Sequence, residues 1–322
     1  MVQQSFVKKR HHYVWAHYIR NWAVEKDIFY VSPKGRIAQA NANALAAEKE
    51  FYRIQNLGDE DIEYIFGWIE KSNPSLKALH LDFFHDFVVR SRLVEMTSRL
   101  AASDELKHAS AVIEFNSLED VYYNFESGVR SVMNHLSAGN GEVLGDDQSM
   151  LDLCSYLGHQ LTRTKCFREK TLGAIRANMT NNVEYARYLT LTERNWWYVN
   201  FLLGLNAGWS FYTSRKNVNN IFLVNKTGIG FITSDNPVVN VHPCVETLSP
   251  GEDPGYMDLY FPISPSYAVM MNQSNNYMHM GSCVTVDDVN FLNRKVARSA
   301  YGSIYGSQRD VLKAMNWKSR AN

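Results

Sequence analysis

The segment IFLVNKTGIGFITSDNPVVNV, residues 221–241, decides the fold class. Three short runs rich in β-branched and aromatic residues, at 221–224, 230–233 and 238–241, are separated by turn-forming residues. The same pattern appears at residues 209–212, 259–262 and 267–271. Short strands divided by turns are typical of an antiparallel sheet, so we expect one in the last third of the chain.

The residues before this segment favour helices. Ile62, Ile65, Phe66 and Ile69 have i, i+3, i+4, i+7 spacing, and Asn73-Pro74 marks the boundary with a long helix over 76–100. We predict further helices at about 104–112, 117–137, 147–162 and 166–178, and also over 6–24 and 40–53. The only early strands that we expect form a hairpin, 28–31 with 36–38.

Helices first and strands later indicate an α+β protein rather than a parallel α/β sheet. We expect a helical N-terminal two-thirds packed on a mainly antiparallel C-terminal sheet, with a late helix over 286–301. We predict a single domain, 1–322. Within it we expect residues 1–204 to be mainly helical with a small N-terminal hairpin, and residues 205–322 to be mainly antiparallel sheet.

Composition excludes several classes of protein. With 33 basic and 33 acidic residues the chain has no global basic field, although a local basic patch begins at Lys8. Four scattered cysteines without a C-x-x-C pair suggest reduced thiols in a cytoplasm. No signal-peptide pattern and no long apolar run is present, so we expect no membrane partner. The oligomeric state and any cofactor stay open.

Familiar catalytic motifs are missing. There is no P-loop, no dinucleotide-binding glycine pattern, no H-E-x-x-H and no G-x-S-x-G. His80, Asp82, His85 and Asp86 have ligand chemistry, but a surface or core role on a helix is the better interpretation. We therefore assign no metal ligands among these four residues.

Two polar segments among the predicted helices are candidates for a site. His11 and His12 follow Arg10, and imidazole beside a cation suits acid–base work on an anion. Gln160 and Arg163 are three residues apart, which places them on one helix face, and arginine offers a donor fork for phosphate or carboxylate. The alternatives are an exposed basic helix start and a salt-bridged helix end.

A third candidate is Ser234-Asp235-Asn236-Pro237, at the end of a β-rich run. It places a hydroxyl, a carboxylate and an amide where a strand ends, which is a common position for a site. The alternative is a structural turn, because Ser, Asp and Asn side chains bond to nearby amides and fix such bends.

Several segments together resemble a bacterial family catalogued as domain of unknown function 4238. They are His11–Val14, Tyr18–Trp22, Gln160–Thr164, Ile232–Val238 and Phe261–Pro265. Trp15 and Lys165 stand where the family usually has proline, which loosens the backbone there. Some members are associated with defence against bacteriophage, so the resemblance implies a bacterial, toxin-like effector.

These segments lead to one hypothesis, a cytoplasmic, nuclease-like enzyme acting on a phosphate-bearing substrate such as nucleic acid or a nucleotide. His12 acts as general acid or base, Arg163 stabilises negative charge, and Asp235 sets the His12 tautomer or binds a metal. The expected substrate contacts are His11, Arg20, Gln160, Ser234 and Asn236. Single alanine variants of the three catalytic residues should lose activity without a change in melting.

Two alternatives remain. The first is a non-catalytic binding or sensor protein whose polar pocket holds an anion. The second is a purely structural hydrogen-bond network that locks helices to sheet.

Overall fold

The computed structural model describes residues 6–100, 103–177, 183–249, 251–281 and 283–316 of the 322-residue chain. Helices dominate its first two-thirds, and antiparallel strands followed by a late helix dominate the rest. The α+β prediction is therefore confirmed. No helix in these ranges is both long and apolar enough to cross a membrane.

The strands within the described ranges are short. They are β1 (Arg10–His12), β2 (Ile28–Val31), β3 (Ile37–Ala40), β4 (Ala47–Lys49), β5 (Asn219–Val224), β6 (Thr233–Ser234), β7 (Val239–Asn240), β8 (Asp258–Pro262), β9 (Tyr267–Asn272) and β10 (Ile304–Gly306).

The helices include three of more than twenty residues. They are α1 (Ala16–Ile19), α2 (Asp59–Glu70), α3 (Lys77–Arg99), α4 (Asp104–Ser137), α5 (Asp147–Thr162), α6 (Lys165–Ala177), α7 (Val183–Ser214), α8 (Val286–Ser299) and α9 (Arg309–Met315). The two helices predicted at 104–112 and 117–137 are one helix, α4. Residue 178, the predicted end of α6, lies outside the described residues.

All strand pairs are antiparallel in the part of the chain that the structure describes. One sheet has the order β5-β9-β8-β7, a second has the order β3-β2-β10-β6, and β1 pairs with β4 as a ribbon. The predicted N-terminal hairpin, β2 with β3, thus joins a sheet with strands from the end of the chain. β6 is the edge strand of that sheet and leads directly into Asp235.

A shared hydrophobic cluster joins the helices to the sheet. Ile19 of α1, Val132 of α4 and Leu153 of α5 belong to the same buried cluster as Phe261 of β8 and Val269 of β9. Burying such aliphatic and aromatic side chains stabilises a fold by roughly 1.5–3 kcal/mol each. The cluster therefore holds the helical layer on the sheet, as the sequence predicted.

The two predicted helices nearest the N-terminus are wrong. Residues 10–12 form β1, which pairs with β4, so only α1 and a short 3-10 turn remain helical within 6–24. The Ala-rich stretch 40–53 contains Ala46 and Glu50 at positive φ, 45° and 60°, and these residues interrupt any helix. Strand pairing across the ribbon overrides a good local helix propensity in both places.

The predicted strand at 209–212 is also wrong. Trp209 and Tyr212 lie in the last turns of α7, which ends at Ser214. Helix α7 packs closely on α5 here, because Gly158 of α5 faces Gly204 and Gly208 of α7 without side chains between them. Phe211 of this stretch is buried in the same hydrophobic cluster as Phe261 and Val269 of the sheet.

Candidate functional site

The end of α5 is where three of the predicted segments meet. Gln160 donates from Nε2 to the carbonyl of Tyr13 at 3.0 Å and accepts from Arg163 Nη2 at 2.7 Å. The next residue, Thr164, donates its hydroxyl to Asn236 Oδ1 at 3.0 Å. The end of α5 therefore contacts the N-terminal segment at Tyr13 and the Ser-Asp-Asn turn at Asn236.

Arg163 is buried among aromatic rings and already paired. Its Nη2 lies 2.9 Å from Glu126 Oε1, and its guanidinium sits 5.2 Å from the Tyr122 ring and 5.9 Å from the Tyr156 ring. We call Tyr122, Glu126, Tyr156, Gln160 and Arg163 the Arg163 cluster. Within it, burial opposes the charge of Arg163, but the neighbouring tyrosines and Glu126 outweigh burial and raise its pKa. The guanidinium stays charged.

Two carboxyl groups beside Arg163 were not among the predicted site residues. Glu119 and Glu126 are seven residues apart on α4, about two turns, so both face the cluster. The pKa of Glu119 is raised to about 8, mainly by burial and also by the Glu126 carboxylate, while Arg163 opposes the rise. Half-buried Glu119 is therefore protonated at neutral pH and can donate a proton. The seven-residue spacing in the sequence is the signal that could have found the pair.

His12 lies half-buried on the β1 side of this cluster. Its Nε2 is 3.2 Å from the carbonyl of Asn43. Burial is the main reason that the pKa of His12 is lowered, and positive charge lowers it further. That charge comes from three guanidinium groups, those of Arg10, Arg163 and Arg20. The imidazole is thus neutral at neutral pH and can accept a proton.

The predicted contact Arg20 lies on the exposed rim beside His12. Its Nη2 donates to Asn43 Oδ1 at 2.8 Å, while Arg10 donates to the carbonyl of Ala44 at 2.9 Å. The short segment 42–44 therefore holds both guanidinium groups. Each keeps further donors for an anion, because a guanidinium carries five.

His11 has a different environment from His12. It is fully buried, its Nδ1 accepts from the amide of Tyr52 at 2.8 Å, and its Nε2 donates to the carbonyl of Lys8 at 2.8 Å. Burial lowers the pKa of His11, which agrees with this neutral tautomer. Both ring nitrogens are occupied by main chain, so His11 anchors β1 and has no free atom for a substrate.

Asp235 is sealed at the end of β6. Its Oδ1 accepts from the amide of Tyr301 at 2.9 Å, and its Oδ2 accepts from the amides of Gly302 and Ser303 at 2.7 and 2.9 Å. Main-chain amides thus hold the carboxylate that we had expected to serve His12. Asp235 therefore fixes the turn between α8 and β10.

Ser234 and Asn236 complete that turn. The Ser234 hydroxyl donates to the carbonyl of Asn236 and accepts from its amide, at 2.9 and 3.0 Å. Besides its bond to Thr164, the Asn236 side chain donates to the carbonyl of Ser299 at 3.1 Å. These contacts match the structural alternative for this segment, a turn fixed by its own side chains.

The remaining segments are joined in the same way. The Tyr18 hydroxyl bonds to Thr233 Oγ1 at 2.6 Å and donates to the carbonyl of Pro262 at 2.9 Å. Asn21 donates to the carbonyl of Ile263 at 2.8 Å, and Trp22 donates to the carbonyl of Phe231 at 2.7 Å. Side chains of α1 and the turn after it therefore bind the main chain of two sheet segments.

Metal ligation has little support in this arrangement. Among the residues that the structure describes, no three His, Cys, Asp or Glu side chains are grouped closely enough to hold a metal ion. His80, one of the residues with ligand chemistry, is buried and bonds to Asn206 Oδ1 at 3.3 Å.

The fold and site define an α+β protein in which widely separated segments are tied together by buried polar side chains around the end of α5. The chain belongs to the family described as Protein of unknown function (DUF4238), whose sequence model matches residues 10–310. The resemblance seen in the sequence is thus confirmed over most of the chain. Searches of the curated proteins and of the solved structures found no match.

The two departures from the family pattern occupy positions that also suit proline. Trp15 precedes α1 with φ −55°, and Lys165 is the first residue of α6, where a missing amide hydrogen costs nothing. Lys165 forms an ion pair with Glu48 and lies over the Tyr13 ring at 5.3 Å. The lysine therefore fixes the ribbon to α6 through its side chain.

Proposed function

We propose that this protein is an enzyme that acts on a phosphate-bearing substrate beside His12. One observation carries the proposal: the half-buried His12 imidazole has a lowered pKa, and the charge of three guanidinium groups contributes to that lowering. Two of these groups, those of Arg10 and Arg20, are held on the exposed rim by residues 43 and 44. Arginine recognises phosphate through paired, charge-assisted hydrogen bonds. A neutral imidazole within reach of that phosphate can take a proton from a nucleophile.

The hydrogen bonds and ion pairs of the predicted site residues lead us to assign them roles different from those suggested by the sequence. Arg10 and Arg20, on the exposed rim, bind the phosphate, and His12 transfers the proton. Arg163 and Gln160 are positioning residues, because their partners are Glu126 and the main chain of Tyr13. Asp235 acts further away, by fixing the turn at residues 301–303.

Glu119 is the second proton-transfer group in this proposal. A carboxyl whose pKa is raised to about 8 carries its proton at neutral pH, whereas the neutral His12 has a ring nitrogen that can accept one. Environments that separate two pKa values in this way define an acid and a base. Glu119 then protonates a leaving group while His12 activates the attacking one.

The substrate class that we propose is nucleic acid or a nucleotide, which makes the protein a nuclease-like effector. Two arginines on the rim beside an imidazole suit a phosphodiester backbone. A role in defence against bacteriophage rests on the family resemblance alone. We also propose a cytoplasmic location, which the four free cysteines in the described structure support, since reduced thiols are usual there.

The test compares His12→Ala with His135→Ala, a histidine exposed at the end of α4. Purified proteins are incubated with single-stranded RNA, single-stranded DNA, duplex DNA and nucleoside triphosphates, and products are separated by gel and chromatography. We expect His12→Ala to lower the rate roughly 100-fold or more, the usual contribution of acid–base catalysis, with melting nearly unchanged. His135→Ala should match wild type.

Inducible expression in bacteria gives a second readout. Wild type should arrest growth and degrade nucleic acid, whereas His12→Ala should not. If His12→Ala retains wild-type turnover and toxicity, the proposal is wrong.

The non-catalytic sensor remains the second candidate, because the exposed guanidinium groups of Arg10 and Arg20 suit anion binding alone. The buried hydrogen bonds of Arg163 and Gln160 instead favour the purely structural network. A sensor would bind these phosphates at His12 without turnover. Titration of the His12 ring signals by NMR separates the two cases, because bound phosphate raises the pKa of His12 in both but only an enzyme forms product.

A further inference from the structure

A cavity lies between α6 and α8. None of its lining residues belongs to the Arg163 cluster. The cavity encloses about 500 Å³. Its apolar wall is formed by Leu161, Phe167, Val238, Val239 and Val245. Ligand sites in proteins have about 300–1,000 Å³ and walls of this kind. We call it the α6–α8 cavity.

The charged side chains that line this cavity are unbalanced. Three are cationic, Lys170, Lys295 and Arg298, and one is a carboxylate, Glu246. Lys295 is 8% exposed and lies 2.6 Å from Glu246 Oε1. Across the described ranges, no carboxylate oxygen lies within 4.0 Å of Lys170 or Arg298. Within those ranges, two positive charges at the cavity therefore have no ion-pair partner.

Glu246 occupies the place that a ligand anion would take. Its side chain is 55% exposed, and its hydrogen bond to Lys295 lowers its pKa, as does the charge of Arg298. Two of the cavity's cations, Lys295 and Arg298, therefore stabilise the charged form of this carboxylate. Because it is solvent-exposed, it can leave Lys295 at little cost when another anion arrives.

We propose that the α6–α8 cavity binds a phosphate monoester with a planar apolar body, of the size of a nucleoside monophosphate. The phosphate lies among Lys170, Lys295 and Arg298 and displaces Glu246. The planar body packs on Phe167 and the valines. This site is independent of the proposed chemistry at His12.

Binding is measured by isothermal titration calorimetry of the full chain with adenosine monophosphate, inorganic phosphate and adenosine. We expect adenosine monophosphate to bind more tightly than either of the others, because it alone uses both the cations and the apolar wall. Affinity should fall as salt rises, since the cations at the rim are exposed. Equal affinity for inorganic phosphate, equal affinity for adenosine, or no binding would each overturn the proposal.

Two variants with opposite expected signs sharpen this test. Arg298→Gln should weaken the binding of adenosine monophosphate roughly tenfold, because a charge-assisted hydrogen bond is lost. Glu246→Gln should tighten it, because the competing carboxylate is gone. A merely structural role for the Lys295–Glu246 pair predicts no tightening. The matched control is Arg294→Gln, on the same face of α8 but outside the cavity lining.

The thiol of Cys166 supplies a readout that does not depend on affinity. Cys166 lines the cavity and is 7% exposed, with its Sγ 3.5 Å from the carbonyl of Ser299. Adenosine monophosphate should slow its alkylation by iodoacetamide, followed by mass spectrometry, while the exposed Cys283 reacts at an unchanged rate. Unchanged alkylation of Cys166 at saturating ligand would place the ligand elsewhere.

Discussion

Arg163 Nη2 lies 2.9 Å from Glu126 Oε1, and the two side chains are 1% and 11% exposed. Removing one partner of a buried ion pair leaves the other charge without compensation, which costs about 3–5 kcal/mol. We therefore expect Arg163→Met to be strongly destabilised, contrary to our expectation from the sequence that its melting would not change.

The pH dependence of this variant identifies the cause. Burial already raises the pKa of Glu126, and loss of Arg163 raises it further. A carboxyl with a raised folded pKa contributes stability at low pH that is lost as pH rises through that pKa. Urea unfolding should therefore show a smaller loss at pH 5 than at pH 8. Arg163→Met combined with Glu126→Gln should recover much of the loss, and equal losses at both pH values would contradict a buried unpaired carboxylate.

Asp235→Ala should destabilise the protein by more than about 3 kcal/mol, because three amides lose hydrogen bonds to a charged acceptor and each such bond contributes about 1.5–3 kcal/mol. Asp235→Asn keeps one carbonyl oxygen and should lose less. Thermal and urea unfolding measure both, with exposed Asp287→Asn as control. Normal stability combined with lost turnover would instead restore Asp235 to the chemistry.

The parts of the fold that could be predicted are those whose local signals agree with their packing. Helix α2 begins with three acidic residues and an Asp61 side chain that accepts from the Gly58 amide, and its apolar stripe is buried. Strands β8 and β9 are bounded by turn residues and lie in a core sheet. At α2, β8 and β9 the local sequence propensity and the tertiary contacts favour the same secondary structure.

The secondary-structure predictions that were wrong lie where contacts between residues distant in sequence determine the backbone conformation. No local pattern shows that His11 binds the amide of Tyr52, forty-one residues away, and thereby holds residues 10–12 as a strand. For the site, the sequence selected three segments that hydrogen bonds join at the end of α5, but it could not show which of their residues are buried. His12 is half-buried, whereas Arg163 and Asp235 are buried. This difference in burial depends on the assembled fold and has no signal in the local sequence.

The contact between α5 and α7 depends on glycine. A Cβ built on Gly158 would lie under 3.0 Å from the Gly208 amide nitrogen, and one built on Gly204 would come equally close to His159 Nδ1, nearer than real Cβ atoms approach. Gly158→Ala must therefore push two helix backbones apart, and we expect a loss of roughly 1–3 kcal/mol, as overpacking usually costs. Urea unfolding measures the change in the free energy of unfolding.

Gly67→Ala, inside α2, provides the matched control. Nothing lies within 4 Å of a Cβ built there, so the substitution should stabilise the helix by roughly 0.5–1 kcal/mol. Opposite signs for the two glycines would establish close packing at Gly158. A stabilising effect at both positions would show that α5 and α7 have room between them.

Glu119 gives a prediction about the whole protein's response to pH. Its folded pKa is about 8, raised from 4.5 chiefly by burial and also by Glu126. Between these two values the folded state holds the proton while the unfolded chain has released it. The free energy of unfolding therefore falls as pH rises through this window. Glu119→Gln carries no proton to lose, so it should gain stability relative to wild type as pH rises from 5 to 9.

Urea unfolding at pH 5, 7 and 9 compares wild type, Glu119→Gln and Glu105→Gln. Glu105 is exposed in the first turn of the same helix, so its substitution removes a carboxylate without removing a half-buried one. We expect the pH slope to flatten for Glu119→Gln alone. A slope identical to that of wild type would mean that Glu119 ionises freely in the folded protein, and the acid partner of His12 would then have to be another group.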